Sequence, residues 1–390
     1  MDHDVSDPRV SHPAAGAGGQ GASNARRLRL GVIGAGAWAT FAHIPGFLRR
    51  PEVEPWIVNR RDPELLAAIR AQFGFQHATT DWHEVIDARP DIVAITGPGA
   101  LRGEQALAAL EAGIHVLAEK PFTLDPSDAW AIDRLARERG LHVVLCYAWN
   151  EMGITEAARG LIGGPDGIGE IEQVDVQMAT VVRDLLTAGT TYLGDAPVPL
   201  PRGETWHDPA VSGGGYGQGQ LTHALGLVMR LLPGLRASQV AAFTHGPGAR
   251  VELHDAVAVR FDGGAIGAIG GAALPPGTFG NRHQLVIRVT GSRGQVILDM
   301  DAPRVVRSTA AEERTIDLSP EDVRWSFDRV TDRMVDLALG RTTENPSPAE
   351  LGARVVEILD GMYRSAASGQ VEAVGASVAT GRARSRAAAR

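Results

Sequence analysis

The run LRLGVIGAGAWATFAHIP, residues 28–45, joins a short apolar strand to the start of a helix through Gly34, Ala35, Gly36, Ala37, Trp38 and Ala39. This is a G-x-G-x-x-A pattern, and each small residue in it answers a geometric demand. A glycine at 34 permits a tight turn, one at 36 lets a pyrophosphate reach the backbone, and Ala39 lets the helix lie close to the strand. The free N–H groups and positive dipole end of the helix then face the phosphates. Leu28, Leu30, Val32 and Ile33 make the strand apolar, and a second strand ends at Asn59. In that context the pattern predicts a dinucleotide site lined by Gly34, Gly36, Ala37, Trp38 and Ala39. Without it, a purely structural glycine turn reads the same.

The second strand, Val53-Glu54-Pro55-Trp56-Ile57-Val58-Asn59-Arg60-Arg61, ends without the Asp or Glu that would bind both ribose hydroxyls of NAD. A carboxylate there repels a 2′-phosphate, whereas Asn59 beside the guanidinium groups of Arg60 and Arg61 accepts one. NADP is therefore the expected cofactor in preference to NAD. The plainer reading is that the two arginines solvate a loop.

A chain of 390 residues with 44% hydrophobic and 5% aromatic content suits two domains with substantial cores. Its formal charge of −8 argues against nucleic acid as a partner. Cys146 is the single cysteine, so no intrachain disulfide forms, and its apolar setting predicts a buried thiol. No stretch is apolar enough to span a membrane and no apolar signal core precedes the first strand, so a cytoplasmic location is expected. Residues 1–25 and 371–390, the latter carrying Arg382, Arg384, Arg386 and Arg390, lack periodic apolar content and are expected to be disordered tails.

Between the tails, apolar runs at 91–96, 115–120 and 141–147 alternate with helical stretches, which predicts a parallel-sheet Rossmann domain over 26–147. Asp125, Pro126 and Gly140 mark the ends of one helix clearly. From 148 to 370 the period becomes two, in Val174-Asp175-Val176, Ala256-Val257-Ala258-Val259 and Leu285-Val286-Ile287, with turns at Asp262-Gly263-Gly264 and Gly291-Ser292-Arg293-Gly294. That predicts an α/β domain with an open, mostly antiparallel sheet. A closing helix is expected to start from a capping box at Ser347-Pro348-Ala349-Glu350 and end at Gly369. The stretch 183–212 reads as a long lid or binding loop whose Tyr192 and Trp206 either stack on a sugar or pin the loop.

Ala118-Glu119-Lys120-Pro121 falls at the C-terminal end of a parallel strand, where open α/β sheets bind their ligands. Together with VIGAGAWATFAHIP, ALAALEAGIHVLAEKPFTLD, IGEIEQVDV, SGGGYGQGQLTHALGL, VTGSRGQVILDM and ELGARVVEILDGMYRSAASG, it makes residues 28–370 resemble the Gfo/Idh/MocA oxidoreductases. The resemblance implies a nicotinamide-dependent hydride transfer to or from a sugar, cyclitol or related polyol. It also implies homo-oligomers paired through the second sheet, and no metal. Glu119 and Lys120 then lie at the nicotinamide, with Lys120 as the acid/base group and His223 as a second catalytic residue facing the substrate. Thr96 and Pro98 would offer backbone contacts to the ribose.

Three departures from the family pattern stand out. Gly219 occupies the place of an expected aspartate four residues before His223, leaving Gln218 or Gln220 to orient substrate. Gly97, Pro98 and Gly99 replace a Thr-Pro-Asn run, with Arg102 at a histidine position. Tyr147, Trp149 and Asn150 fall where the nicotinamide pocket is commonly lined. Glu204, His207, Asp208, His223, His254 and Asp255 are ligand types for a metal but lack clustered spacing. A redox-neutral glycosidase or epimerase, or a non-catalytic cofactor-binding accessory protein, remains as the alternative.

Overall fold

The computed structural model describes residues 26–189 and 204–375; the expected tail at 1–25, the arginines of the C-terminal tail and Tyr192 lie outside those residues. Strands β1 (Leu28–Ile33), β2 (Val53–Asn59), β3 (His77–Thr79), β4 (Ile92–Ile95), β5 (His115–Ala118) and β6 (Val143–Leu145) form a sheet in the order β3-β2-β1-β4-β5-β6. Every adjacent pair is parallel. Every residue of β4 is buried, as a strand covered by helices on both faces requires. Chain direction across the sheet reverses between β1 and β4, which opens a crevice at their carboxyl ends. The helix Pro126–Arg139 is capped by Asp125 and stopped by left-handed Gly140, as its sequence predicts.

The second sheet contains β7 (Ile171–Thr180), β8 (Ala237–His245), β9 (His254–Phe261), β10 (Ile266–Ala273), β11 (Gln284–Gly291), β12 (Gly294–Asp299), β13 (Arg304–Thr309), β14 (Glu313–Asp317) and β15 (Glu372–Ala373). Their order is β14-β13-β12-β11-β7-β10-β9-β8-β15. Along β9, Val257, Val259 and Phe261 are buried while Ala256, Ala258 and Arg260 are exposed. The inner face packs under the helices Thr222–Leu231 and Ala349–Ser368, and the outer one leaves Phe243 82% and Ile266 51% exposed. The sheet is mixed because β7 and β10 run parallel. The chain leaves β7 in the middle of the sheet, crosses to β8 near the far edge and works back through β9, so β10 returns beside β7 in the same direction.

Three expectations are corrected. The capping box at 347–350 does not form: the Ser347 hydroxyl accepts from Asn150 Nδ2 at 3.1 Å, Glu350 pairs with Arg354 at 3.0 Å, and Pro348 caps the helix without a side-chain bond. Residues 371–375 are not part of a disordered tail, because β15 pairs with β8 and Arg364 Nη2 donates to the Ala373 carbonyl at 2.9 Å. The stretch 183–212 is not irregular throughout; it holds the short helices Arg183–Ala188, Glu204–His207 and Pro209–Ser212, the last capped by Asp208.

The C-terminal segment then returns to the first domain. Val330, Met334, Val335 and Leu337 of the helix Asp328–Ala338 enter the same core as Leu30, Val32 and Val58. Arg50 clasps Asp332 at 3.2 Å and Asp336 at 2.8 Å on its rim. The crevice is thus held from both sides.

The closing helix ties the two sheets together at Gly352, where an added Cβ would meet Leu145 Cδ1 and, at 2.8 Å, Phe122 Cδ1. Gly352→Val should therefore destabilise the protein by about 1–3 kcal/mol through overpacking, read as a lower midpoint in thermal unfolding. An unchanged or raised midpoint would show that this contact is loosely packed.

Candidate active site

Gly34 has φ +77°, and a Cβ on it would come within 2.6 Å of the Gly97 backbone, so the turns after β1 and β4 meet main chain to main chain. Above Gly36 the space is open: a Cβ there would touch only the Gly34 carbonyl, at 3.7 Å. This is the cradle a pyrophosphate needs. The turn is braced from below by two residues expected to bind cofactor. Asn59 Oδ1 accepts from the Gly34 N–H at 3.2 Å while Nδ2 donates to the Thr79 carbonyl at 3.2 Å. Thr96 Oγ1 donates to the Gly34 carbonyl at 3.0 Å. Arg60 Nη1 donates to the Ala35 carbonyl, and Arg61 is exposed. Asp62, the next carboxylate along, accepts from the Glu64 and Leu65 N–H groups as a helix cap. Pro98 opens the helix Gly99–Glu111.

Past Ala39 the chain winds as a π-helix, Ala39–His43, before tightening into Ile44–Leu48. The wider turn faces His43 inward, where it is fully buried. Its Nε2 lies 2.6 Å from Glu119 Oε1, and the other Glu119 oxygen accepts from the Lys120 N–H at 2.9 Å. Burial pushes the Glu119 carboxyl up, but His43, Lys120 and Arg102 together outweigh it and hold the group below the ordinary carboxylate range. Phe327, from the segment before the returning helix, covers His43 at 5.2 Å between ring centroids and touches Trp38 at 5.7 Å.

His43 and its pairing with Glu119 escape a reading of the sequence because 76 positions separate the two. The HIP triplet right after the fingerprint is the one local signal for His43. Cys146 completes a buried trio with them, its sulfur and their ligand atoms all within 4.8 Å. Two ligands on one zinc ion stand roughly 3.3 Å or more apart, so the 2.6 Å contact is that of a hydrogen bond. Burial also pushes the Cys146 thiol well up, which opposes the thiolate a metal requires.

Arg102 is buried behind the same turn. Its Nε donates to the Gly97 carbonyl at 3.0 Å and its Nη1 to the Pro121 carbonyl, so it joins the β4 turn to the Glu119-Lys120-Pro121 turn. Lys120 itself is the only lysine in the chain; the other 37 of its 38 basic Lys and Arg residues are arginines. The Lys120 Nζ donates to the Gly219 carbonyl at 2.8 Å. Desolvation brings its pKa down from 10.5 to about 8, with Glu119 opposing the fall and Arg102 assisting it. That composition signal was available in the sequence and singles out Lys120 more sharply than its motif does.

The second domain brings His223 to Lys120 from the helix Thr222–Leu231, which continues another π-helical turn, Gly217–Leu221. Desolvation, then the Lys120 cation and His283, hold the His223 pKa well below 6.5, so the ring is neutral at pH 7. His283 belongs to the same group although its sequence gives no cue; desolvation and Lys120 lower it too. Trp149 lies 5.4 Å from the His223 ring. Tyr147 meets the same ring edge-on, 6.3 Å between centroids, and both Tyr147 and Asn150 are buried. The Tyr147 hydroxyl meets Thr222 Oγ1 at 3.2 Å, and Asn150 Nδ2 is committed to Ser347 Oγ and the Pro346 carbonyl. Gln218 is buried next to Gly219.

An amine with a depressed pKa, a neutral imidazole and an open glycine cradle make a site suited to moving a proton beside a bound dinucleotide. No helix among the described residues is long and apolar enough to cross a membrane. Residues 28–147 match the family model described as an oxidoreductase family with an NAD-binding Rossmann fold, Gfo/Idh/MocA. The chain is 23% identical over 309 residues to levoglucosan dehydrogenase of Pseudarthrobacter phenanthrenivorans, covering 71% of this chain and 74% of that one. It is 36% identical over 139 residues to a dTDP-3,4-didehydro-2,6-dideoxy-alpha-D-glucose 3-reductase of Streptomyces violaceoruber, covering 35% and 40%. The crystal structure of an inositol dehydrogenase homolog from Azotobacter vinelandii, complexed with NAD+, superposes with a TM-score of 0.74 at 19% identity over 90% of this chain and 98% of that one. With its fingerprint and its two sheets, and with dehydrogenases and reductases among the proteins it is similar to, the chain matches the Gfo/Idh/MocA oxidoreductase family over residues 28–147.

Proposed function

We propose that the protein is an NAD(P)-dependent dehydrogenase or reductase acting on a secondary hydroxyl or carbonyl of a sugar, cyclitol or related polyol. The observation that carries this reading is Lys120: the sole lysine, at the carboxyl end of β5, with a pKa of about 8 and His223 beside it. Gly34 and Gly36 would cradle the pyrophosphate of a nicotinamide cofactor, which would supply the hydride acceptor or donor. In the oxidising direction the neutral amine of Lys120 takes the hydroxyl proton, and in the reducing direction its ammonium returns it. His223, held neutral and lacking a carboxylate at 219, orients the reacting oxygen by a hydrogen bond. Glu119 keeps Lys120 from losing its proton too early, and His43 keeps Glu119 ionised in its buried position.

NADP preference follows from the end of β2. The Asn59 amide is turned into the fold and the Asp62 carboxylate accepts from the first N–H groups of the next helix, so the residue that ends β2 is not itself a carboxylate, and Arg60 and Arg61 follow it directly. The outer face of the second sheet, with Phe243 and Ile266 exposed, supports pairing of two copies through that surface.

Lys120→Ala should retain nucleotide binding yet lose roughly 10²- to 10⁴-fold in single-turnover hydride transfer, and His223→Asn should lose less. Greater damage in the His223 variant would transfer the acid/base role to the imidazole. Because Glu119 raises the Lys120 pKa, Glu119→Gln should move the midpoint of the oxidation rate profile to lower pH. A profile unmoved, or moved to higher pH, would remove Glu119 from the proton step. Replacing Arg60 and Arg61 together by alanine should weaken NADP by more than about tenfold and leave NAD nearly unchanged, as two lost charge-assisted contacts predict. Tighter binding of NAD than NADP by the unsubstituted protein would overturn the preference.

A further inference from the structure

Two indoles flank the polar head of the site. The Trp206 ring centroid lies 5.7 Å from Lys120 Nζ, and the Trp149 ring lies 5.4 Å from His223. Gly219 is the floor beneath the first: a Cβ built there would meet the Trp206 benzo edge, Cζ3, at 3.9 Å and no other described atom within 4 Å. The missing side chain at 219 thus leaves open space beside the edge of an aromatic ring. Trp206 is only half-buried, so part of its surface is open to a ligand.

The charges around the site point to the same kind of ligand. Lys120 is influenced by Glu119 and Arg102, and His223 by Lys120 and His283. Glu119 is spent on His43 and the Lys120 N–H, and Arg102 on the Gly97 and Pro121 carbonyls. Among these groups, Lys120 alone is left to face an anionic substituent, and it is half-neutral near pH 8. Among these described groups, a substrate bearing phosphate or carboxylate meets no uncommitted forked cation.

We propose that Trp206 is a specificity-determining residue that selects neutral, ring-shaped polyols, pyranosides or cyclitols, by stacking on their C–H face while a secondary hydroxyl reaches Lys120 and His223. A saturated ring presents several aligned C–H groups, which are weakly positive, to the negative face of the indole. An open-chain polyol offers no such flat face and must freeze its rotors to imitate one. Trp149 adds a second indole beside His223. The inference rests on the dehydrogenase reading above and names the substrate class for that same site.

The test uses the full chain loaded with its nicotinamide cofactor, and the unsubstituted, Trp206→Phe and Trp206→Ala proteins. Methyl β-D-glucopyranoside and myo-inositol serve as rings, sorbitol as the open chain and gluconate as the anion. Trp206→Ala should raise KM for the better ring substrate by about tenfold or more, a larger factor than for sorbitol, with cofactor affinity unchanged. Trp206→Phe should recover most of that loss, and should abolish the ring-dependent quench of tryptophan fluorescence expected in the unsubstituted protein. A ring KM unchanged within twofold in Trp206→Ala overturns the proposal. So does a preference of the unsubstituted protein for sorbitol or gluconate, or the absence of saturable ring binding. If Trp206→Ala does not fold, the Phe variant and the fluorescence titration decide. Failure of the dehydrogenase reading shows separately, as a chain that binds no nicotinamide nucleotide or that binds it without net oxidation or reduction of it by any of these substrates.

Discussion

A carboxylate buried at the end of a parallel strand is the constraint around which this molecule is arranged. Glu119 is 4% exposed, and an unpaired charge there would cost several kcal/mol. The fold answers with His43 at 2.6 Å, the Lys120 N–H at 2.9 Å and the fields of Lys120 and Arg102. Each partner comes from a different part of the chain. His43 brings the π-turn that follows the fingerprint, Arg102 brings the turn after β4, and Phe327 over His43 brings the C-terminal segment back from the second sheet. Satisfying one carboxylate thus fixes the relative placement of the phosphate cradle, the lysine and the domain junction.

The same cluster sets the reactivity of Lys120. A lysine at its ordinary pKa of 10.5 is a poor base at neutral pH; desolvation and Arg102 lower it, and Glu119 stops the fall at about 8. The change corresponds to roughly 3 kcal/mol in favour of the neutral amine. His223 answers the same environment in the opposite sense. With glycine at 219 no carboxylate at that position offsets its desolvation, so it stays neutral at pH 7. The edge of the Trp206 indole borders the open space above Gly219.

Local pattern was enough to read the Rossmann domain, because Gly34, Asp125 and Gly140 each meet a demand set within a few residues: a turn, a cap, a left-handed stop. The alternation along β7, β9 and β11 likewise announced a sheet with one covered face. What escaped depends on partners distant in sequence. His43 needed Glu119, Arg102 needed the carbonyls of Gly97 and Pro121, and the capping role of Ser347 was lost to Asn150, almost 200 positions away. Asn59 and Thr96 sit at the fingerprint turn, but their side chains brace it from inside, a distinction that spacing alone does not carry. The one global signal, a single lysine among 38 basic residues, was present in composition and points straight to the site.

That singularity allows the central claim to be measured without interference from other side chains. After reductive methylation with ¹³C-formaldehyde, the amine region of the carbon NMR spectrum should hold two dimethylamine signals, one from Lys120 and one from the chain terminus. A Lys120→Arg sample assigns them by removing the first. Titrated in the folded protein, the Lys120 signal should shift with a midpoint near pH 8 and return toward the ordinary lysine range, about 10.4, when the chain is unfolded in urea. A midpoint above 10 in the folded protein would mean that the buried cluster does not tune this amine, and the proton-transfer role built on it would fall.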